Sequence, residues 1–255
     1  MLETNICQRL EWDSDFFDFR IARVNGNRLT AKRIEAILAW CEENYIECLY
    51  FLADSDHVET VRLAEKHQFR LVDVRVTLQR ELSVRPPEKR KSLREDSFIR
   101  AVEPTDITAL KKIAGESNTV SRFVSDACFS EESSRALYET WIEKSCQGFA
   151  DMVLVSGFSS QSEKYITGYI TCHLPALGYE AKIGLLGIDK NYRGHGVGRA
   201  LLGSALDWFA DRGVEKVNVV TQGQNIAAQR LYQSCGFMTH SLRLWYHRWF
   251  AACKV

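Results

Sequence analysis

The chain has 255 residues with 33 basic and 33 acidic side chains, so its formal net charge is zero. That length suits one large or two small domains with a sizeable core, and the missing basic surplus argues against a nucleic-acid partner. Eight scattered cysteines without a C-x-x-C pair predict free thiols in a reducing cytoplasm. With neither a signal-peptide pattern nor an apolar run that could span a bilayer, we expect a cytoplasmic protein without a membrane partner.

The N-terminal segment, residues 1–84, contains a pattern that recurs near the end of the chain. Residues 26–82 align without a gap on residues 194–250, a shift of 168 positions that matches, among others, Arg75 to Arg243 and Arg80 to Arg248. Identities are few, but both stretches have the order helix, strand, helix, long strand. This predicts a degenerate half-copy of one supersecondary unit, and the alternative is two generic α/β segments that happen to align.

The two copies differ at positions that matter for chemistry. The N-terminal copy has GNRLT where the C-terminal copy has GHGVG, His57 where the other has Asn225, and Ala64 where the other has Tyr232. If the glycines and the tyrosine carry a function, only the C-terminal copy retains it. The N-terminal copy would then be a scaffold or one wall of a substrate cleft.

A linker is predicted at residues 85–96. It lies within SVRPPEKRKSLRED, which holds two of the four prolines and a basic cluster but no apolar periodicity. In a neutral protein these lysines and arginines indicate a solvated linker rather than a nucleic-acid site.

The remaining segment, residues 97–255, interleaves strands and helices in the manner of an α/β sheet. Alternating and β-branched runs predict strands at 97–104, 151–158, 164–174, 181–188, 216–221 and 237–250. Helical spacing predicts helices at 106–117, 130–145, 197–213 and 225–236.

A glycine-rich loop, YRGHGVGRAL at residues 192–201, follows a predicted strand and opens a long helix. Free backbone N–H groups and the positive end of the helix dipole attract anions there. Glycines let phosphate oxygens approach the backbone. The loop lacks the Gly-Lys-Ser/Thr of a Walker A motif and the spacing of a dinucleotide fingerprint. A plain tight turn is the alternative to an anion cradle.

Together with the next helix, this loop resembles the signature of the GCN5-related N-acetyltransferase (GNAT) superfamily. Its Arg-x-x-Gly-x-Gly motif is met by Arg193, Gly196 and Gly198. Its second motif is met by Asn225, Ala228, Leu231, Tyr232, Gly236 and Phe237. The resemblance covers roughly residues 97–250. It implies a catalytic GNAT domain at 97–255, with a mixed, mostly antiparallel central sheet flanked by helices, preceded by a partial, degenerate GNAT-like N-terminal domain.

The resemblance also implies acetyl-CoA as co-substrate and no metal. The pyrophosphate would lie on the backbone of Arg193, Gly194, His195, Gly196, Val197, Gly198 and Arg199. The pantetheine arm would pair with Leu186, Gly187 and Ile188, and Asn225 would complete the cofactor site. Tyr232 would protonate the leaving thiolate, since a phenol with a pKa of about 10 is protonated at neutral pH. Alternatively, Asn225 only caps its helix and Tyr232 only packs.

A narrower resemblance covers LEWDSDFFDF, LYETWIEK and TQGQNIAAQRLYQSCG, which are similar to segments of the dTDP-fucosamine acetyltransferases. It implies direct acetyl transfer to the amino group of a nucleotide-linked aminodeoxy sugar, a dTDP-4-amino-4,6-dideoxy sugar, in bacterial polysaccharide biosynthesis. A peptide or small-metabolite amine remains the alternative acceptor, and a non-catalytic acetyl-CoA sensor is the alternative to an enzyme. A homodimer is left open.

Three further residues are candidates for the acceptor site. Arg122 and Phe123 are candidates for substrate binding, the arginine because a nucleotide sugar brings its own pyrophosphate. They could equally be a surface arginine before a core phenylalanine. Asp73 lies on the polar side of an alternating strand, where the fucosamine enzymes carry an acidic residue, and is the candidate base. An ion pair with Arg75 or plain exposure is its alternative.

Overall fold

The computed structural model describes residues 6–82, 96–117, 120–160, 163–175 and 180–250. The predicted linker therefore lies, except for Asp96, outside the described residues. The first part contains β1 (Cys7–Arg9), α1 (Glu11–Phe17), β2 (Ile21–Val24), α2 (Ala31–Glu43), β3 (Cys48–Asp54), α3 (Val58–Lys66) and β4 (Arg70–Glu81).

The second part contains β5 (Ser97–Ala101), α4 (Ile107–Ser117), α5 (Glu131–Lys144), β6 (Met152–Ser160), β7 (Glu163–His173), β8 (Glu180–Ile188), α6 (Val197–Ala210), β9 (Lys216–Gln222), α7 (Ile226–Ser234) and β10 (Met238–Trp249). Every helix and strand predicted in this part is confirmed to within a few residues. The short elements β1, α1 and β2 lie before the repeat and were not predicted.

The ten strands of the described residues form one sheet in the order β1-β2-β3-β10-β4-β9-β8-β7-β6-β5. Among these strands, the β2–β3 and β8–β9 pairs are parallel and the others are antiparallel, which confirms the mixed, mostly antiparallel sheet. The last strand of the chain, β10, lies between β3 and β4 of the first part. The two parts of the chain are thus joined by main-chain hydrogen bonds rather than by side-chain packing alone.

The strand registers confirm the duplication of the N-terminal part. β10 places Arg243 opposite Asp54 of β3, and β4 places Arg75 opposite Gln222 of β9. Under the shift of 168 positions, Arg75 is the counterpart of Arg243 and Gln222 is the counterpart of Asp54. At the centre, Arg75 lies opposite Arg243, so a pseudo-twofold axis passes between these arginines. Where the linker and the catalytic domain begin stays a prediction.

Two arginines tie the parts together in a reciprocal way. Arg80 of β4 donates from Nη1 to the carbonyl of Cys235 at the end of α7, at 2.6 Å. Arg248 of β10 donates from Nη1 to the carbonyl of His67 at the end of α3. Cations are favourable beside the free carbonyls of a helix C-terminus. Each long strand therefore stabilises the terminal helix of the other copy.

Helices cover both faces of the sheet. On one face, α2 and α3 pack over the first part with Ile34, Ile37 and Leu63. On the same face, α6 packs over the second part with Leu201, Leu202 and Phe209. On the opposite face lie α4 and α5 over β6 and β7 and an aromatic cluster of α1 residues with Tyr50, Phe123 and Phe129.

The prediction that all eight thiols are free is wrong, and among the described cysteines the exception is Cys128. Cys128 is in a disulfide, whereas Cys7, Cys41, Cys48, Cys146, Cys172 and Cys235 are free. Spacing along the chain does not show which cysteines a fold brings together, because bonding depends on the distance between Cα atoms. Across the described ranges, no helix combines the length and the apolarity that crossing a membrane requires.

The sheet order predicts that residues 97–255 expressed alone do not fold. In such a fragment β10 has lost both neighbours, β3 and β4, and β9 has lost β4. Circular dichroism should show no cooperative thermal transition for the fragment, and separately expressed residues 1–84 should restore one. A cooperative transition in the fragment alone would contradict this arrangement.

Candidate active site

A cleft with a volume of about 620 Å³ opens where the parallel strands β8 and β9 separate. They are paired from Glu180–Lys216 to Ile183–Val219 and not beyond. At this point the β7–β8 register slips between Ile170 and Cys172, and the amide of Leu185 donates to Thr171 Oγ1 at 2.8 Å. Such a bulge bends one strand away from its neighbour and so opens the sheet.

The glycine loop forms one end of the cleft. Gly196 is the N-cap of α6 with a φ of +87°, and it has no side chain that could accept from the first helical N–H groups. Those groups also lack intrahelical acceptors. Gly194 has a φ of +80°, and a Cβ on either glycine would meet nothing within 4 Å. The loop thus combines left-handed backbone, unpaired donors and open space, as an anion cradle requires.

Gly198 has a different reason to be a glycine. A Cβ there would lie 3.0 Å from Leu231 Cδ2, so this glycine lets α6 pack closely against α7. It lines the cleft as well.

The polar side chains of the loop are held in place. Arg193 donates from Nε to the carbonyl of Ile188 at 3.2 Å, and Arg199 donates from Nη2 to Ser234 Oγ at 3.0 Å. His195 donates from Nδ1 to the carbonyl of Arg193 at 2.9 Å. Arg193 and Arg199 line the cleft together with Val197, whose side chain is mostly buried. The loop therefore presents positive charge together with its backbone amides.

The side wall of the cleft is the end of β8. Leu186 and Ile188 line it, and the backbone from Leu186 to Ile188 pairs with β7 on its other edge. Gly187 leaves room for Tyr169, because a Cβ would lie 2.5 Å from that ring. The carbonyl of Ile188 accepts from Arg193 and from Ser117 Oγ. The rest of the edge that faces away from β7 is not paired with β9 and is open for backbone hydrogen bonds to a ligand.

Asn225 and Tyr232 of the C-terminal copy lie at the same cleft. Asn225 caps α7 by accepting from the amide of Ala228 at 3.1 Å, as His57 caps α3 by accepting from Thr60 at 3.2 Å. Tyr232 is only 5% exposed. Burial raises the pKa of its phenol above the ordinary value, so the hydroxyl stays protonated at neutral pH.

Asp73 belongs to the N-terminal part and lies within electrostatic range of Tyr138, a residue that lines the cleft. The neighbouring carbonyl of Val74 accepts from the amide of Gly223 at 2.6 Å, and Gln222, just before that glycine, lines the cleft. Burial raises the pKa of Asp73 to about 6, against the opposing effects of a hydrogen bond from the Val74 amide and the charge of Arg122. Near neutral pH this carboxylate is ionised and can accept a proton.

Arg122 lies among aromatic rings. Its guanidinium carbon is 4.2 Å from the ring centroids of Tyr50 and Trp245 and 4.5 Å from that of Phe123. Among the described residues, its buried Nη1 has no hydrogen-bond partner. Phe123 is only 2% exposed. The ring of Phe123 supports the guanidinium, and its role in substrate binding stays a prediction.

A buried pair that the sequence did not indicate holds the segment that carries Arg122. Asp126 Oδ2 accepts from His247 Nδ1 at 2.6 Å and from Trp249 Nε1 at 2.9 Å. Burial lowers the pKa of His247 to about 4. Burial alone would raise the pKa of Asp126, but the hydrogen bonds from His247 and Trp249 hold this pKa below its usual value. Asp126 and His247 are 121 positions apart, so no local sequence pattern could reveal this pair.

Residues 118–237, which include the glycine loop, Asn225 and Tyr232, match the acetyltransferase (GNAT) family. This stretch of the chain is thus similar to that family. A solved GCN5-related N-acetyltransferase from Sphaerobacter thermophilus has the same fold, with a TM-score of 0.65 and 18% identity over 91% of this chain and 73% of that one.

Two curated relatives carry more specific names. A dTDP-fucosamine acetyltransferase from Escherichia coli is 30% identical over 60% of this chain and 64% of its own length. A spore coat polysaccharide biosynthesis protein from Bacillus subtilis is 24% identical over 58% of this chain and 49% of its own length. The chain thus spans less than two thirds of either relative.

Proposed function

We propose that the protein is an acetyl-CoA-dependent N-acetyltransferase whose acceptor is the amino group of a nucleotide-linked aminodeoxy sugar. Support for this proposal comes from two groups suited to proton transfer, one lining the cleft and one near a residue that lines it. The protonated phenol of Tyr232 comes from the C-terminal copy, and the carboxylate of Asp73 comes from the other part of the chain. An acid and a base approach the cleft from different elements, as acyl transfer to an amine requires.

The residues present fit coenzyme A. Its diphosphate would bind the unpaired amides at the start of α6 together with Arg193 and Arg199. Its amide-containing arm would pair with the open edge of Leu186 to Ile188. The adjoining separation of β8 from β9 makes room for that arm between the two strands.

The thioester supplies the activated acetyl group, and the chain supplies positioning and proton transfer. Backbone N–H groups near Leu186 to Ile188 would stabilise negative charge on the carbonyl oxygen. Asp73 would accept the proton that the amine loses, directly or through one water molecule. Tyr232 would donate its proton to the sulfur as the carbon–sulfur bond breaks. None of these roles requires a metal.

The sugar acceptor is supported by the relatives, one named for dTDP-fucosamine acetylation and one for polysaccharide biosynthesis. The aromatic surroundings of Arg122 support it as well, because flat rings beside a cation suit a sugar and its phosphates. We therefore propose a dTDP-4-amino-4,6-dideoxy sugar as the acceptor.

A thiol-release assay tests the proposed reaction. We expect free coenzyme A to appear in the presence of a dTDP-4-amino-4,6-dideoxy sugar, with a higher kcat/KM than for a peptide N-terminus or a simple alkylamine. Preference for the peptide would contradict the sugar acceptor. Acetyl-CoA binding without thiol release from any amine would identify a sensor.

Replacing Tyr232 with Phe should lower kcat by about 10²-fold, the lower end of general-acid effects, because a thiolate is a good leaving group. The ring and its packing remain, so KM for acetyl-CoA should change little. Tyr192→Phe is the matched control, because Tyr192 also lines the cleft. This variant should keep the wild-type kcat. A loss confined to acetyl-CoA affinity would leave Tyr232 as a packing residue.

Asp73 should give kcat/KM an acid limb. With a pKa of about 6, the carboxylate becomes protonated as pH falls, so the rate at pH 5 should be about tenfold below its plateau. Asp73→Asn should abolish this limb and lower the plateau by about 10²–10⁴-fold. Asp211→Asn, at the exposed end of α6, should keep the profile. If Asp73→Asn kept the acid limb unchanged, the limb would come from titration of the substrate amine and not from Asp73.

A further inference from the structure

Two arginines face each other at the pseudo-twofold axis of the sheet. Arg75 of β4 lies directly opposite Arg243 of β10, and directly paired residues of antiparallel strands have their Cβ atoms only about 5 Å apart. Like charges in such a pair destabilise the sheet. The duplication brings the arginines together, but it does not explain why neither was replaced.

The carboxylates on this face do not neutralise the pair. Arg243 forms an ion pair with Asp54 at 3.3 Å, but Asp54 also pairs with Arg28 at 3.0 Å. Among the residues that the structure describes, Arg75 has no ion pair, and its buried Nε has no hydrogen-bond partner. Besides burial, the charges of Arg243, Arg122 and Arg23 lower the pKa of Arg75.

Other charged groups reach the same region from neighbouring elements. Arg122, which also has an unpartnered buried Nη1, rests on Trp245 of β10. Asp13 of α1 lies within electrostatic range of Arg122 and Arg23, yet burial still raises its pKa. No ion pair within 4 Å joins Asp13 or Asp73 to an arginine among the described residues. Positive charge and unused N–H donors therefore remain on this face.

The arginine pair lies one strand away from the cleft. Arg75 is opposite Gln222 of β9, which lines it. Asp73 is two residues before Arg75 on the same side of β4, a separation of about 7 Å along a strand. This spacing is about that of an amine and an anomeric phosphate across one hexose ring. A substrate whose amine meets Asp73 would place its phosphate among the arginines.

We propose that Arg75, Arg243 and Arg122 bind the diphosphate of the acceptor, and that this site selects a hexose with an amine on one side of the ring and a diphosphate on the other. The inference rests on the proposed aminosugar function. It assigns a role to the pseudo-twofold axis, where the duplication has concentrated basic side chains.

The test compares two acceptors in two variants. In Arg75→Gln and Arg243→Gln, kcat/KM for the dTDP-4-amino-4,6-dideoxy sugar should fall about 10- to 100-fold, the usual effect of losing a charge-assisted hydrogen bond. The methyl glycoside of the same aminosugar lacks the diphosphate, so its kcat/KM should not change. Arg62→Gln removes an exposed charge on α3, across the sheet, and should leave both values unchanged.

Binding measurements separate this proposal from the proposed function. By calorimetry, dTDP and inorganic pyrophosphate should bind the wild type. In both arginine variants the affinity for each of these ligands should fall by the same 10- to 100-fold. Orthophosphate should bind more weakly than either. The melting temperature without ligand should be maintained or raised in both variants, because a like-charge pair is removed.

If no aminosugar is acetylated but both variants still bind dTDP more weakly than the wild type, the anion site stands and the proposed function fails. The diphosphate assignment is wrong if acetylation occurs and both variants lower kcat/KM equally for the two acceptors. It is also wrong if acetylation occurs and the variants change kcat/KM for neither acceptor.

Discussion

The insertion of β10 between β3 and β4 is the constraint on which the rest of the structure depends. It forces the end of the chain into the N-terminal part of the sheet and leaves β4 beside β9. As a result Asp73 lies within electrostatic range of Tyr138, at a cleft whose walls include residues of β8, β9 and α7. The same insertion brings Trp245 beneath Arg122. The site that we propose uses both copies, although only one copy carries the glycine loop.

Physical differences between the copies explain their division of labour. In the C-terminal copy, the glycine N-cap of α6 leaves the first helical amides free. In the N-terminal copy, Thr30 Oγ1 accepts from the amide of Arg33 at 3.2 Å. The Arg33 guanidinium then fills the loop by donating to the carbonyls of Asn25 and Arg28. The N-terminal loop thus meets its own hydrogen-bonding needs and has become structural.

Local patterns revealed the elements and one side of the site. Glycine spacing, helix caps and alternating strands depend on neighbours in sequence, so the loop, Asn225 and Tyr232 could be found without a structure. The shift of 168 positions agrees with the strand registers. What could not be predicted depends on contacts between distant segments. The aromatic surroundings of Arg122 and the Asp126–His247 pair follow from how the 121–129 segment meets β3 and β10.

The central claim is that only the C-terminal copy still binds acetyl-CoA through its loop, and the duplication supplies its own control. Gly194 and Gly26 occupy the same position in the two copies, with φ values of +80° and +79°. Alanine at either position should cost similar stability, about 1–2 kcal/mol for a left-handed residue. Calorimetry should show acetyl-CoA affinity at least about tenfold weaker in Gly194→Ala and unchanged in Gly26→Ala. Equal affinity in the two variants would contradict the claim.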